Sequence, residues 1–179
     1  MSSEPMTPGT RIGRYEVIAH LATGGMGEVY KARDVELDRV VALKVLPSRL
    51  SENPNSVERF RREARNAARL SHKNIVTLYD WGQADSTWFL ALEFIDGTDL
   101  NSYINARGRL DPQESWLITV QATRALDHAF QQGVVHRDIK PSNFLLTRQG
   151  RKVRVKLTDL GLARTAQEED FRITRDGST

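Results

Sequence analysis

The hydrophobic pattern changes near the middle of the 179-residue chain, from short alternating runs to helical spacing. The first half carries runs rich in Val, Leu, Tyr and Phe that are bounded by Gly, Pro and Asp, a pattern typical of strands. Five strands are predicted there, over residues 15–21, 28–33, 39–46, 75–79 and 88–94. The polar stretch 82–86 predicts the turn between the last two.

One helix is predicted between the third and fourth strands. Asn55 and Glu58 resemble a capping box, with Asn55 as N-cap and Glu58 at the third helical position. The apolar residues that follow recur at helical spacing and define an inward stripe: Val57, Phe60, Ala64, Ala67 and Ala68.

A break at residues 96–98 separates the two halves. We therefore expect a disordered lead-in over 1–13, a strand-rich lobe over 14–96 and a mainly helical lobe over 97–179. Helices are predicted over 100–106 and 111–132, the second with Asp111 as N-cap and Pro112 in its first position. Its inward face consists of Ile118, Ala122, Ala125, Leu126 and Ala129.

A hairpin of residues 144–146 and 153–157 is predicted to follow. Val153, Val155 and Leu157 alternate with three basic residues, Lys152, Arg154 and Lys156. Because no aromatic side chains interleave with them, the basic residues predict a solvated strand face rather than a nucleic-acid surface.

Composition narrows the class of protein. The hydrophobic and charged fractions, 39% and 27%, are those of a globular domain, and the net charge of +3 is too small to indicate nucleic-acid binding. There is no cysteine, which excludes disulfides and thiolate metal sites. No apolar run reaches the roughly 18 residues of a membrane span, and no signal peptide is recognisable, so a cytoplasmic location is expected.

A glycine-rich stretch joins the first two strands. Gly24, Gly25 and Gly27 leave backbone N–H groups uncovered at the tip of a hairpin, where a polyphosphate could approach the main chain. An ordinary glycine-rich turn is an equally good interpretation of this stretch alone.

Lys44 lies in the middle of the apolar run 39–46. A buried lysine requires a carboxylate partner or an anionic ligand, whereas a lysine on an edge strand could simply face solvent. Glu63 is the carboxylate in the middle of the predicted helix that could reach it, although Glu63 could also pair with Arg59 one turn earlier.

The densest set of chemical groups lies in residues 136–143. Asp138 offers a carboxylate, Lys140 an ammonium group and Asn143 an amide oxygen, and a second acid, Asp159, follows the hairpin. This set suits the handling of a phosphate–metal complex. The alternative is a polar loop without catalytic function.

In this order the motifs resemble the eukaryotic-type protein kinase family, and within it the bacterial serine/threonine kinases, over residues 14–179. The resemblance rests on the glycine-rich loop with Val29, the strand containing Lys44, the stretch 136–143 and Asp159 with Leu160 and Gly161. It implies an α+β, two-lobed protein-kinase-like fold, with an antiparallel sheet and one helix in the first lobe.

The resemblance also implies a role for each matching residue. Lys44, oriented by Glu63, would hold the phosphates of ATP. Asn143 and Asp159 would bind Mg²⁺ or Mn²⁺. Asp138 would accept the proton of a protein Ser or Thr hydroxyl while Lys140 steadies the γ-phosphate. Further nucleotide-binding positions are Leu21, Gly24, Gly25, Gly27, Val29, Ala42, Leu92, Glu93, Ile95 and Leu145.

Three departures from the family pattern affect these expectations. Ala22 replaces the first loop glycine, which matters only if that position needs a positive φ. Leu160 replaces the usual Phe. The sequence ends at Thr179, so we expect a fragment of a longer kinase whose long helix exposes apolar surface. Whether the parent is membrane-anchored through a segment beyond Thr179 stays open.

Two alternatives to a protein kinase stay open. A non-catalytic nucleotide-binding or scaffolding module is the first, although such modules usually lack one of the charged residues present here. A small-molecule phosphotransferase on a related fold is the second. If the kinase interpretation holds, Thr174, Ser178 and Thr179 are candidate sites of autophosphorylation in a dimer.

Overall fold

The computed structural model describes residues 5–24, 27–150, 152–159 and 164–165. They form two compact units. The first comprises Met1–Ala64 with Thr77–Phe94, and the second comprises Arg65–Val76 with Ile95–Thr179. In chain order the elements are β1 (Arg11–Ile12), β2 (Tyr15–Gly24), β3 (Gly27–Asp34), β4 (Arg39–Val45), α1 (Ser48–Ser51), α2 (Pro54–Ala68), β5 (Leu78–Ala84), β6 (Thr87–Glu93), β7 (Thr98–Asp99), α3 (Leu100–Arg107), α4 (Pro112–Gln131), β8 (Val134–Val135), a 3-10 turn (Pro141–Asn143), β9 (Phe144–Gln149), β10 (Lys152–Leu157) and β11 (Arg164–Thr165).

A six-stranded antiparallel sheet, in the order β1-β2-β3-β4-β6-β5, forms the first unit. The alternation of each strand places its larger apolar residues on one face, where they are buried. This core contains Ile12, Tyr15, Val17, Tyr30, Ala32, Val41, Leu43, Val45, Phe89 and Ala91. A second cluster, Leu46, Phe60, Ala64 and Leu90, packs the apolar stripe of α2 against the other face.

The N-terminal segment departs from the expected disordered lead-in within the described residues. It contains β1, and the backbone N–H of Met6 donates to the Tyr30 hydroxyl at 3.0 Å. Met6 also packs against the buried face of the sheet. These contacts offset the conformational entropy that the segment loses on folding, and the composition alone does not reveal them.

Two predicted boundaries in the first unit are wrong. The fourth strand begins at Leu78 rather than Ile75, and its turn is limited to Asp85 and Ser86, with φ of 45° and 68°. Two successive residues with positive φ form the two-residue hairpin turn whose twist matches that of the flanking strands. Because the turn needs only these two residues, β5 extends through Gly82 to Ala84. Helix α2 begins at Pro54, before Asn55.

The cap of α2 is Asn53. Its side-chain oxygen accepts a hydrogen bond from the Asn55 N–H at 2.9 Å, and its carbonyl accepts from Ser56 and Val57. Proline suits the first helical position because its missing N–H is not needed there.

The second unit contains the two predicted helices. Asp111 caps α4 by accepting hydrogen bonds from the N–H groups of Gln113 and Glu114, as its sequence predicts. The apolar residues Ile118, Ala125 and Ala129 are buried. In contrast, the large side chains Trp116, Leu117 and Phe130 are 66%, 52% and 68% exposed, so α4 does present apolar surface.

Two small sheets complete the second unit, in the orders β10-β9-β7 and β11-β8. The predicted hairpin forms, with Leu157 opposite Phe144. The predicted solvated basic face is wrong at Lys156, which is buried and donates from its ammonium to the Ile75 carbonyl at 3.3 Å. Within the described parts of the chain, no helix combines the length and apolar character needed to cross a membrane.

Candidate active site

A buried ion pair joins β4 to α2 in the first unit. The Lys44 ammonium lies 2.6 and 2.9 Å from the two carboxylate oxygens of Glu63. The Lys44 side chain is 11% exposed and that of Glu63 is 4% exposed. Lys44 is therefore paired inside the unit rather than directed to solvent, as expected of a lysine in an apolar strand.

The predicted nucleotide-binding residues of the first unit share one face of its sheet. In the strand register Val29 lies opposite Lys44, and Ala42 lies opposite Leu92. Because side chains alternate along a strand, these four lie on the face away from the Tyr30 core. Val29, Ala42 and Leu92 are half-buried, which leaves an apolar surface beside the ammonium group.

The glycine hairpin pairs Gly24 with Gly27, and Gly25 lies outside the described residues. A Cβ on Gly27 would stand 2.6 Å from the Val45 carbonyl oxygen, so the close approach of β3 to β4 requires glycine there. Ala22 lies in β2 opposite Val29 in extended backbone. Its position needs no positive φ, and the replacement of the family glycine is therefore minor.

The remaining predicted nucleotide contacts lie at strand ends and surfaces. Leu21 is 46% exposed on β2. Glu93 ends β6, where its N–H donates to the Thr77 carbonyl at 2.8 Å. In the second unit Ile95 is half-buried, and Leu145 on β9 lies opposite Lys156 and Asp99.

The loop before the 3-10 turn brings three predicted residues of the second unit together. The Asn143 amide nitrogen donates to the Asp138 carbonyl oxygen at 2.7 Å and to the carboxylate Oδ2 at 3.2 Å. The Lys140 ammonium lies 2.7 Å from the same Oδ2. Asn143 is buried while the Asp138 side chain is 26% exposed, so a fixed carboxylate faces outward.

These contacts favour the charged forms of Asp138 and Lys140. The hydrogen bond from Lys140, helped by that from Asn143, lowers the pKa of Asp138 below its usual value. The hydrogen bond to Asp138 raises the pKa of Lys140, and the negative charge of Asp159 acts in the same direction. At neutral pH the loop therefore presents a carboxylate and an ammonium side by side.

His136 has a positioning role that sequence reasoning did not assign. It is buried, its Nδ1 accepts a hydrogen bond from the Asp138 N–H at 3.3 Å, and its Nε2 lies 3.1 Å from the Thr158 carbonyl. The Thr158 N–H in turn donates to the Asn143 carbonyl at 2.9 Å. One imidazole thus ties the loop of Asp138 to the chain immediately before Asp159.

Two residues of this region adopt backbone conformations that are rare outside glycine. Arg137 has φ of 63° and Asp159 has φ of 61°. Such conformations cost on the order of 1–3 kcal/mol and persist only where the surroundings fix them, commonly at functional sites. The sequence carries no signal for either one.

Asn143 and Asp159 fit the demands of a divalent cation. The hydrogen bonds of the Asn143 side chain engage its nitrogen, which leaves the amide oxygen as the candidate ligand. Mg²⁺ prefers carboxylate and carbonyl oxygens and usually takes one or two protein carboxylates together with substrate phosphates. In the described ranges, no cluster of three or more His, Cys, Asp or Glu residues could hold a metal ion.

The chain matches the protein kinase domain model over residues 15–178. It is 43% identical over 159 residues to serine/threonine-protein kinase PrkC of Bacillus subtilis, an alignment that covers 88% of this chain and 24% of PrkC. It is 40% identical over 162 residues to serine/threonine-protein kinase PknB of Mycobacterium leprae, covering 88% of this chain and 26% of PknB.

A solved structure supports the same relationship. The kinase domain of Mycobacterium tuberculosis PknI superposes with a TM-score of 0.74 at 33% identity, over 88% of this chain and 62% of that domain. This similarity confirms the predicted two-lobed protein-kinase-like fold. The chain spans about a quarter of the length of the curated relatives PrkC and PknB. Since the family model matches nearly its whole length, the chain belongs to the protein kinase domain family.

Proposed function

We propose that the chain is the catalytic part of a serine/threonine protein kinase, with lobes over residues 14–96 and 97–179. It transfers the γ-phosphoryl group of ATP to a Ser or Thr hydroxyl of a protein. The observation that carries this proposal is the Asp138 carboxylate, which is ionised, outward-facing and held by both Lys140 and Asn143.

The loop geometry supports a direct mechanism. The Asp138 carboxylate accepts the hydroxyl proton as the hydroxyl oxygen attacks the γ-phosphorus, and the bond from that phosphorus to the bridging oxygen of ADP breaks. Lys140, adjacent to the same carboxylate, stabilises negative charge on the transferred group. Asn143 keeps the carboxylate oriented, and His136 keeps the loop in register.

The first unit supplies nucleotide-binding groups in this proposal. Lys44 binds the ATP phosphates, and Glu63 holds the ammonium in place. Val29, Ala42 and Leu92 contact the adenine, and Leu145 is a further nucleotide-binding residue in this proposal. Main-chain groups of Glu93 and Ile95 hydrogen-bond its edge, while Leu21, Gly24, Gly25 and Gly27 cover the nucleotide.

Asn143 and Asp159 would hold Mg²⁺ or, with the same oxygen donors, Mn²⁺. When bound, the cation neutralises charge on the phosphate oxygens. We assign the reaction to the cytoplasm, where ATP is available. Two copies would meet transiently during autophosphorylation, for which Thr174, Ser178 and Thr179 are the candidate acceptors; all three lie outside the described residues.

The test is the variant Asp138→Asn, which keeps the size of the side chain but removes the carboxylate that accepts the proton. Phosphotransfer from radiolabelled ATP to a Ser/Thr-containing acceptor protein should fall by about 10²–10⁴-fold. The matched control is Asp127→Asn on the exposed surface of α4, where activity should be unchanged. A copy carrying Asp138→Asn also serves as acceptor for the wild-type chain, which tests phosphorylation between copies.

Two results would contradict the proposal. Wild-type turnover by Asp138→Asn would remove Asp138 from the mechanism. A wild-type chain that is stabilised against heat by ATP with Mg²⁺ yet transfers no phosphate would indicate a nucleotide-binding module instead of an enzyme.

A further inference from the structure

Strand β10 has one edge that no strand of the described residues covers, apart from an isolated parallel bridge between Leu157 and Ile75. It pairs with β9 on one side and is the terminal strand of its sheet. On the other side the backbone groups of Val153, Val155 and Leu157 point away from β9, because these residues alternate with those bonded to it. Val155 and Leu157 are completely buried, so their polar backbone groups need partners inside the protein.

A glutamine from α4 supplies two of the hydrogen bonds along this edge. The Gln121 side-chain oxygen accepts a hydrogen bond from the Val155 N–H at 3.1 Å, and its nitrogen donates to the Val153 carbonyl at 3.1 Å. The same oxygen accepts from the Asn74 side-chain nitrogen at 3.0 Å. Gln121 therefore bridges two residues of the strand, as a backbone amide of a neighbouring strand would.

Asn74 completes this substitute for a strand. Its buried side-chain nitrogen also donates to the Val155 carbonyl at 2.8 Å. Its own carbonyl accepts from the Leu157 N–H at 2.8 Å, and the Val76 N–H donates to the Leu157 carbonyl at 2.9 Å. From the Val153 carbonyl to the Leu157 carbonyl, the outward-facing backbone groups are thus bonded to Gln121, Asn74 and Val76.

The end of β10 leads directly to the candidate metal ligand. Thr158 follows Leu157 and is bonded to Asn143 through its N–H and to His136 through its carbonyl. Asp159 comes next, in a left-handed conformation that only its surroundings can maintain. A shift of β10 along its axis would therefore move Asp159 relative to Asn143.

We propose that Gln121 and Asn74 are positioning residues that fix β10 along its axis and so set the place of the Asp159 carboxylate. This inference rests on the proposed metal-binding role of Asp159. It goes beyond packing, because Gln121 must accept and donate hydrogen bonds at the same time. A side chain of equal length without an amide fills the same space but cannot hold the strand.

The first experiment compares Gln121→Met with the wild-type chain. Gln113→Met is the matched control, on the same helix but with an exposed side chain. The readout is Mn²⁺-dependent paramagnetic broadening of the Asp159 amide signal in NMR spectra, recorded with a non-hydrolysable ATP analogue present, together with hydrogen exchange of the Thr158 amide. Gln121→Met should need about 10-fold more Mn²⁺ for half-broadening, the lower end of the effect of residues that position metal ligands, and its Thr158 amide should exchange faster. The control should do neither.

The second experiment uses Gln121→Glu in case the first variant does not fold. The introduced carboxylate can accept from Val155 and Asn74 but cannot donate to Val153. Once protonated, this carboxyl group can donate. The Mn²⁺ concentration for half-broadening should therefore become equal in the variant and the wild type as the pH is lowered. A variant that merely fills space would show no such recovery.

The outcomes separate this inference from the proposed function. If the wild-type chain binds Mn²⁺ at Asp159 and Gln121→Met or Gln121→Glu needs no more of it at any pH, the positioning role is refuted while the metal site stands. If Mn²⁺ leaves the Asp159 signal of the wild-type chain unchanged, the proposed metal role fails and the positioning inference falls with it.

Discussion

Removal of the Lys44 charge should reveal how much the buried ion pair depends on both partners. The variant Lys44→Met keeps most of the side-chain volume but leaves the Glu63 carboxylate, which is 4% exposed, without its ammonium partner. A carboxylate in that position must either stay charged in a poorly solvated site or take up a proton. Both responses weaken the folded state.

The structure sets the magnitude of this effect. Losing one partner of a buried ion pair costs about 3–5 kcal/mol, and the lower figure applies here because Lys44 retains some exposure to solvent. For a chain of this size, about 3 kcal/mol lowers the melting temperature by about 6–12 °C. Replacing both partners, as in Lys44→Met with Glu63→Leu, should bring stability back to within about 1 kcal/mol of the wild type.

Urea denaturation followed by tryptophan fluorescence measures this difference. Trp81 and Trp88 lie in the first unit, and their rings stack with centroids 6.4 Å apart. Trp116 is 66% exposed on α4, so a Trp116→Phe background removes its signal with little effect on stability. The remaining fluorescence then reports the unit that contains the ion pair.

The double variant provides the decisive comparison. If its loss of stability equals the sum of the two single losses, the partners act independently and the ion-pair interpretation is wrong. If Lys44→Met alone lies within about 0.5 kcal/mol of the wild type, as expected of a surface substitution, Glu63 is adequately solvated without Lys44. Every variant at Lys44 or Glu63 should lose phosphotransfer. The double variant should thus be stable but inactive, which separates stability from activity.

Three further predictions concern pH. Because the hydrogen bond from Lys140 lowers the pKa of Asp138, Lys140→Met should raise that pKa and move the acid limb of kcat/KM to higher pH. Burial lowers the pKa of His72, so the folded state favours its neutral form, and stability should fall as the pH drops below about 6.5; His72→Gln should reduce that loss in urea denaturation. Burial raises the pKa of Tyr15 to about 12. The contribution of Tyr15 to the free energy of unfolding is therefore complete below about pH 10 and is lost as the pH rises toward 12. Tyr15→Phe should reduce this alkaline loss of stability by about 2 kcal/mol in the same assay.

Each of the three has a control of the same residue type. Lys152→Met, on an exposed side chain, should leave the acid limb in place. His20→Gln, on the exposed part of β2, should keep the wild-type acid sensitivity. Tyr79→Phe, at a ring that is 39% exposed, should keep the alkaline decline. A control that behaves like its test variant would refute the corresponding assignment.

The sequence was most informative where a residue type is stable in only one kind of structural environment. A lysine inside an apolar strand needs a partner, and Glu63 provides it at 2.6 Å. An Asp followed by Pro and Glu predicts a helix start, and Asp111 caps α4 as expected. The strand hairpins followed from alternation for the same reason, since burial of one face fixes the register.

The sequence was least informative where tertiary contacts decide. Lys156 alternates like a solvated residue, yet the Ile75 carbonyl receives its ammonium inside the protein. The left-handed backbone of Arg137 and Asp159 depends on contacts that no local pattern encodes. The bonds of His136 to Thr158 and of Gln121 to β10 join residues more than twenty positions apart, and only the fold brings them together.

The capped edge of β10 also has a consequence for the chain in a crowded solution. An uncovered strand edge is a template onto which another molecule can add a strand, which is a common start of aggregation. Here the donors and acceptors between Val153 and Leu157 are already engaged by Gln121, Asn74 and Val76. A foreign strand would have to displace those bonds before it gained any of its own, so this edge resists intermolecular pairing.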